Sequence, residues 1–149
     1  MTREQVELLL VEDNPSDVEL TLHILKKNNL VNRVEVARDG AEALEFLFGA
    51  DADKNVSPAK LILLDLKLPK INGLEVLARI KANDSTKSIP VVVLTSSRED
   101  QDLQACYELG VNSYIVKPVD FAQFTDTVRQ MGMYWLLLNE RPAAPLVEV

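Results

Sequence analysis

Short apolar runs of Val, Ile and Leu alternate along the chain with longer stretches in which apolar residues recur three or four apart. Buried parallel strands read as continuous apolar runs and their crossover helices as amphipathic ones, so the alternation predicts an α/β fold. Five strands are expected at residues 6–11, 33–37, 61–65, 91–95 and 113–116, and five helices at 16–28, 41–48, 73–82, 99–109 and 121–138. Pro15, Ser16 and Asp17 supply start signals for the first helix, and Gly110 stands where a C-cap is expected. The architecture implied is a doubly wound, five-stranded parallel sheet with helices on both faces. Residues 49–60 are polar, with Gly and Pro, and are expected to form a long surface loop. From Asn139 onward, Pro142 and Pro145 forbid further helix, so the last residues are expected to fray.

A length of 149 residues, 47% of them hydrophobic, fits one substantial core and is too short for two ordinary domains, so residues 1–149 are expected to form a single domain. The lone Cys106 excludes an intramolecular disulfide framework and points to a reducing, cytoplasmic setting. The first apolar run is much shorter than a membrane span, ends in acid and has no small-residue cleavage site, so no membrane association is expected. A net charge of −7 repels phosphate backbones, which argues against nucleic acid as a partner.

In an open parallel sheet, ligands bind beyond the carboxyl ends of the strands, so the residues closing each run carry the information. The first strand delivers Glu12 and Asp13, the third Asp65, the fourth Thr95 and Ser96, and the fifth Lys117. Uncompensated carboxylates this close repel, with about 4 kcal/mol per pair at 4 Å and an effective dielectric near 20. Lys117 supplies one positive charge, and a hard divalent cation with oxygen ligands, Mg2+ (or Mn2+), suits the rest. Such an ion also neutralises phosphoryl oxygens while an acidic nucleophile approaches. Asp65, ending the central run LILLD, is the expected nucleophile, with Thr95 donating a hydrogen bond to one phosphoryl oxygen and Lys117 pairing with another.

The segments LLLVEDNPSD, LILLDLKLPKINGLEVL, VVVLTSS and SYIVKPVD resemble the signature of response-regulator receiver domains, the CheY-like, flavodoxin-like family, over nearly the whole chain. The resemblance implies that Glu12 and Asp13 bind the metal, that Asp65 is the phosphoacceptor and also a metal ligand, and that Lys67 contributes its backbone carbonyl to the metal. It implies Thr95 and Tyr114 as the switch pair and Lys117 as the family's lysine, with a cis peptide bond before Pro118. Asn72 stands where related sequences often carry Asp, and Lys67 places a cation beside the phosphorylation site. Both bear on phosphoryl lifetime, and neither removes a required group. More narrowly, the long second loop, the KLPKINGLEVL stretch and the terminal MGMYWLLL resemble cyanobacterial response regulators that serve phytochrome histidine kinases. The implied partner is a sensor histidine kinase of phytochrome type, and the implied activity is phosphoryl acceptance, assisted by the domain itself, rather than enzymatic turnover of a substrate.

Taken singly, these residues have ordinary readings: Glu12 and Asp13 as a solvated helix-start signal, Thr95 and Tyr114 as packed strand residues. Only the constellation makes them a site. His23 has no partner histidine and receives no role, while Cys106 reads as a small buried hydrophobe. In the last helix Phe121, Phe124, Val128, Met131, Trp135 and Leu138 form a core stripe, yet Met133, Tyr134, Leu136 and Leu137 add apolar surface on other faces. The excess is expected to form a homodimer or partner surface through Phe121, Phe124, Tyr134, Trp135 and Leu137.

Three rival readings use parts of the same set. A haloacid-dehalogenase-like phosphatase shares the aspartyl nucleophile and magnesium, but resembles Asp-x-Asp after a first strand, whereas Asp65 is followed by Leu66 and Lys67 and ends the third. A flavodoxin-like flavin binder needs small hydroxyl or glycine residues after the first strand, where EDNPSD presents carboxylates. A pseudo-receiver would bind partners without phosphorylation and would leave the nucleophile, acidic pair, threonine and lysine unused.

Overall fold

The computed structural model describes residues 5–52 and 57–140. The expected alternation is realised as β1 (Val6–Val11), α1 (Pro15–Lys27), β2 (Val34–Ala37), α2 (Gly40–Phe48), β3 (Ala59–Leu64), α3 (Gly73–Ala82), β4 (Val91–Thr95), α4 (Asp100–Glu108), β5 (Ser113–Val116) and α5 (Phe121–Gly132). All strand pairs are parallel, in the order β2-β1-β3-β4-β5. The chain reverses its direction of winding between β1 and β3, and in such sheets the ligand crevice opens above that point.

Alternate residues of each central strand feed two cores, which is why the runs lack polar positions. Leu9, Val11, Ile62, Leu64, Val91 and Val93 pack with Leu44 and Leu47 of α2 and with Val76, Leu77 and Ile80 of α3. Leu8, Leu10, Leu61, Leu63, Val92 and Leu94 pack on the other face with Val18, Ile24 and Leu25 of α1 and with Phe124, Val128 and Met131 of α5. Cys106 is the buried residue of α4, as expected, and His23 is exposed.

Four sequence expectations are corrected. Strand β3 begins at Ala59, because its backbone pairs with Val6 despite the polar Lys60, so the preceding connection is shorter than residues 49–60. Residues 53–56 of that loop, and the tail 141–149 with both prolines, lie outside the described residues. The last helix does not run unbroken to Leu138; after Gly132 it widens into a π-helical stretch, Met133–Leu138, where Asn139 N–H donates to the Tyr134 carbonyl at 2.7 Å. Gly132 lies against Leu25 and Leu30 of the α1 side, so a side chain there would collide with both. Phe121 and Leu138 are exposed rather than core, whereas Phe124 is 5% exposed and belongs to the core rather than to any surface. Finally, every described peptide bond is trans, Lys117–Pro118 included; proline narrows the trans preference without reversing it.

Candidate functional site

Three of the expected residues are fixed by backbone hydrogen bonds that prolong the sheet beyond its strands. Glu12 N–H donates to the Ala37 carbonyl at 3.0 Å, Asp65 N–H to Val11 at 3.0 Å and Lys117 N–H to Thr95 at 2.7 Å. Their side chains therefore rise from the carboxyl edge of the sheet with little backbone freedom. Asn14 then caps α1 by accepting the Ser16 and Asp17 N–H groups, while its own N–H donates to Glu12 Oε2 at 3.1 Å. After Asp65 the chain turns sharply, and Gly73 N–H returns to the Leu66 carbonyl at 2.9 Å. A Cβ on Gly73 would strike the Asp65 carbonyl and Leu66 Cα, so only glycine lets α3 start this close to the crevice.

Lys117 Nζ stands among three carboxyls, 2.6 Å from Glu12 Oε1, 2.8 Å from Asp17 Oδ2 and 3.3 Å from Asp65 Oδ2. Its side chain is 12% exposed, so these attractions are poorly screened by water. Burial alone would lower the Lys117 pKa, but hydrogen bonds to Asp17 and Glu12 and the charge of Asp65 outweigh it and hold the ammonium above its ordinary value. Burial pushes the Glu12 carboxyl up to about 7, against the opposing pull of Lys117.

Glu12, Asp13 and Asp65 each present a carboxylate oxygen, all within 4.8 Å of one another. Such an all-oxygen donor set fits a hard divalent cation. Asp13 is exposed, leaving one side of the cluster open to solvent, while Glu12 and Asp65 are buried. Lys67 is exposed and its N–H donates to Asp65 Oδ1 at 3.3 Å, which places its backbone beside the expected nucleophile. Sequence reasoning missed Asp17. An acid in the first turn of a helix is ordinarily read as a response to the helix dipole, and only the fold brings it to a lysine a hundred residues away.

The family described as response regulator receiver domain matches residues 8–129. The chain belongs to this family. Response regulator Rcp1 of Synechocystis sp. is 42% identical over 137 residues, covering 92% of this chain and 93% of that protein. Its Mn(2+)-bound crystal structure superimposes with a TM-score of 0.84 at 40% identity, covering 94% of this chain and all (100%) of that one. The phosphorylated cyanobacterial phytochrome response regulator RcpA gives a TM-score of 0.85 at 38% identity, over 94% and 100% of the two chains. The bacteriophytochrome response regulator AtBRR is 54% identical with a TM-score of 0.67, over 93% and 100%.

In this receiver domain, Thr95 is fully buried at the end of β4, its Oγ1 accepting the Ser97 N–H at 3.3 Å. Tyr114, on β5, is half-buried and its hydroxyl donates to the Ser97 carbonyl at 3.1 Å. Burial, with smaller contributions from Cys106, Asp102 and Glu99, keeps the Tyr114 hydroxyl above its usual pKa although the Ser97 bond pulls it down. Both switch candidates thus meet at one loop. Phe121, Tyr134 and Leu137 are exposed, as a contact surface requires. Trp135 is half-buried, packed on the α1–α5 core and edge-on to Tyr134 with ring centroids 5.0 Å apart. No helix among the described residues is long and apolar enough to cross a membrane.

Proposed function

We propose that the chain is a single, cytoplasmic receiver unit that takes a phosphoryl group from a phosphohistidine of a sensor kinase onto Asp65. The observation that carries this reading is the contact of Lys117 Nζ with Asp65 Oδ2 at 3.3 Å, inside a cluster of carboxylates suited to a divalent cation. A free Asp65 oxygen attacks phosphorus, the P–N bond breaks, and its electron pair stays on the imidazole nitrogen, which takes up a proton. Glu12, Asp13 and Asp65, with the Lys67 carbonyl, would hold Mg2+, which supplies charge neutralisation for the transferred oxygens. Lys117 then pairs with one phosphoryl oxygen and the Thr95 hydroxyl donates to another. The same groups position water for the return hydrolysis.

Output follows from the added charge: Thr95 is drawn toward the phosphoryl group and Tyr114 leaves Ser97 to fill the vacated space. The names of RcpA, a phytochrome response regulator, and AtBRR, a bacteriophytochrome response regulator, support a phytochrome-type kinase as donor. Exposed Phe121, Tyr134 and Leu137 support a homodimer built through the C-terminal end.

Intact-mass spectrometry after incubation with acetyl phosphate and Mg2+ tests the central step. A phosphoryl adduct is expected on the wild type, absent from Asp65→Asn and lost when the metal is chelated. No adduct on a protein with demonstrated metal binding would overturn the phosphoacceptor role.

A further inference from the structure

The Lys117 ammonium has three N–H donors, and Glu12, Asp17 and Asp65 each offer it a carboxylate oxygen. Glu12 and Asp65 belong to the oxygen cluster suited to a divalent cation, and Asp65 is also the proposed phosphoacceptor. Asp17 has neither duty. It lies outside that cluster and reaches the crevice through its 2.8 Å bond to the lysine.

The backbone brings Asp17 there. Asn14 accepts the Ser16 and Asp17 N–H groups while its own N–H donates to Glu12 Oε2, so one capping residue ties the first turn of α1 to the carboxylate beyond β1. Lys117 is set independently, by the bond from its N–H to the Thr95 carbonyl. The Asp17 side chain is 27% exposed and that of Lys117 12%, so the pair spans the wall of the crevice from solvent to interior.

A divalent ion on Glu12 and a phosphoryl group on Asp65 would withdraw two of the three acceptors. An enclosed ammonium that lost both would also lose its direction, because its long, flexible stem has many other rotamers. Asp17 prevents this, since an ammonium can donate to a phosphoryl oxygen through one N–H and keep Asp17 through another. The negative charge of Asp17 opposes phosphoryl approach. Water at its exposed side screens that repulsion, whereas the bond to the ammonium acts at contact.

We propose that Asp17 is a positioning residue: a pivot that holds Lys117 in the crevice while its ammonium swings from Glu12 and Asp65 onto the transferred phosphoryl oxygen. The inference rests on the phosphoacceptor role of Asp65 described under the proposed function. Substituting the pivot therefore matters little while Glu12 and Asp65 are free, and most once both are engaged.

The test uses the full chain labelled with 15N-lysine and compares wild type, Asp17→Ala and Asp17→Asn. Each is observed metal-free, with saturating Mg2+, and during titration with beryllofluoride, a phosphoryl mimic, in Mg2+. The Lys117 ammonium resonance, visible while the group is held away from exchange with water, is assigned by its absence from Lys117→Ala. Both Asp17 substitutions remove the charge, and only Asn keeps an acceptor oxygen. In the metal-free state the resonance is expected in all three proteins. With Mg2+ it should persist in wild type and Asp17→Asn and be lost to exchange in Asp17→Ala. The mimic should bind Asp17→Ala roughly tenfold more weakly than wild type, and Asp17→Asn within about threefold of it. Equal weakening in both variants would make Asp17 a charge and not a pivot, and tighter binding in either would make it a brake on the phosphoryl group; each result overturns the proposal. A Lys117 resonance that persists in Asp17→Ala under Mg2+ overturns it as well. A wild type that responds to Mg2+ and ignores the mimic overturns the phosphoacceptor reading instead, and the resonances in Mg2+ still decide the pivot.

Discussion

Lys117 lies closer to Glu12, at 2.6 Å, than to Asp65, the proposed phosphoacceptor, at 3.3 Å. The ammonium is thus held chiefly by Glu12 and Asp17 and less closely by Asp65. If Glu12 takes part in holding a divalent ion, lysine and ion compete for that carboxylate, and Lys117 keeps Asp17 as its partner while it turns to an incoming phosphoryl oxygen.

Removing the ammonium separates these two duties. Lys117→Ala leaves buried carboxylates uncompensated, which costs on the order of 3 kcal/mol in the metal-free protein. Mg2+ is expected to raise the melting temperature of Lys117→Ala more than that of the wild type, because the ion then supplies the missing charge. Acetyl phosphate labelling is expected to fall by about two orders of magnitude, the usual effect of losing one donor to a developing anion. Equal Mg2+-induced shifts in the two proteins would show that lysine and ion do not compete.

Glu12 makes the metal-free protein sensitive to pH. Its folded pKa, about 7, lies above the ordinary 4.5, so between these values the folded state binds more protons than the unfolded chain. Stability contributed by the protonated carboxyl is complete below pH 4.5 and is lost as pH rises through 7. In EDTA, urea denaturation should show a loss on the order of 2 kcal/mol between pH 5 and pH 7.5. Glu12→Gln should remove most of that loss, and saturating Mg2+ should reverse its direction. A midpoint in Glu12→Gln that falls as steeply as in the wild type would place the titration elsewhere.

The site was legible in the sequence to the extent that it lies where strands end. Glu12, Asp65, Thr95 and Lys117 each close an apolar run, and a parallel sheet turns that linear fact into proximity. Asp17 and Ser97 lie outside any run's end: the partner of Asp17 is a hundred residues away, and Ser97 sits in a loop and bonds to Asp102 of α4. Ser96 and Ser97 are adjacent and identical in type, and only burial distinguishes the exposed one from the buried one. Phe121 and Phe124 share a helical stripe, yet Phe121 is the first residue of α5, beyond the sheet it would need to touch. Hydrophobic spacing gives the face of a helix and says nothing of where along that face the core stops. Nor does it distinguish an α-turn from the wider turn after Gly132.

Asp39 carries two local ties outside the crevice. Its side chain caps α2 by accepting the Glu42 N–H at 2.8 Å and pairs with Lys70 Nζ at 3.3 Å. Accepting that backbone bond is the main reason its carboxyl stays below the usual range. Asp39→Ala should lower stability by about 1 kcal/mol through the lost cap. Asp39→Asn keeps an acceptor and should recover most of it, measured as urea midpoints at pH 7. Equal losses in both variants would assign the effect to the Lys70 pair.

The two ends of the last helix are expected to respond oppositely to substitution. Phe124 fills the core between α5 and the sheet, so Phe124→Ala should cost about 3 to 5 kcal/mol in folding, read as a lowered urea midpoint at any protein concentration. Tyr134 and Leu137 are half or more exposed and touch no core cluster, so Leu137→Glu should leave the urea midpoint of a monomer within about 0.5 kcal/mol. If the C-terminal surface joins two copies, the same charge would be buried in the interface without a partner, and sedimentation equilibrium should show Leu137→Glu as monomer at concentrations where the wild type is dimer. Trp135 separates the cases further, because it packs on the core and borders Tyr134 edge-on. Trp135→Ala should therefore lower both the urea midpoint and the dimer affinity. A wild type that sediments as monomer with and without acetyl phosphate and Mg2+ would remove the homodimer and leave this surface to a different partner.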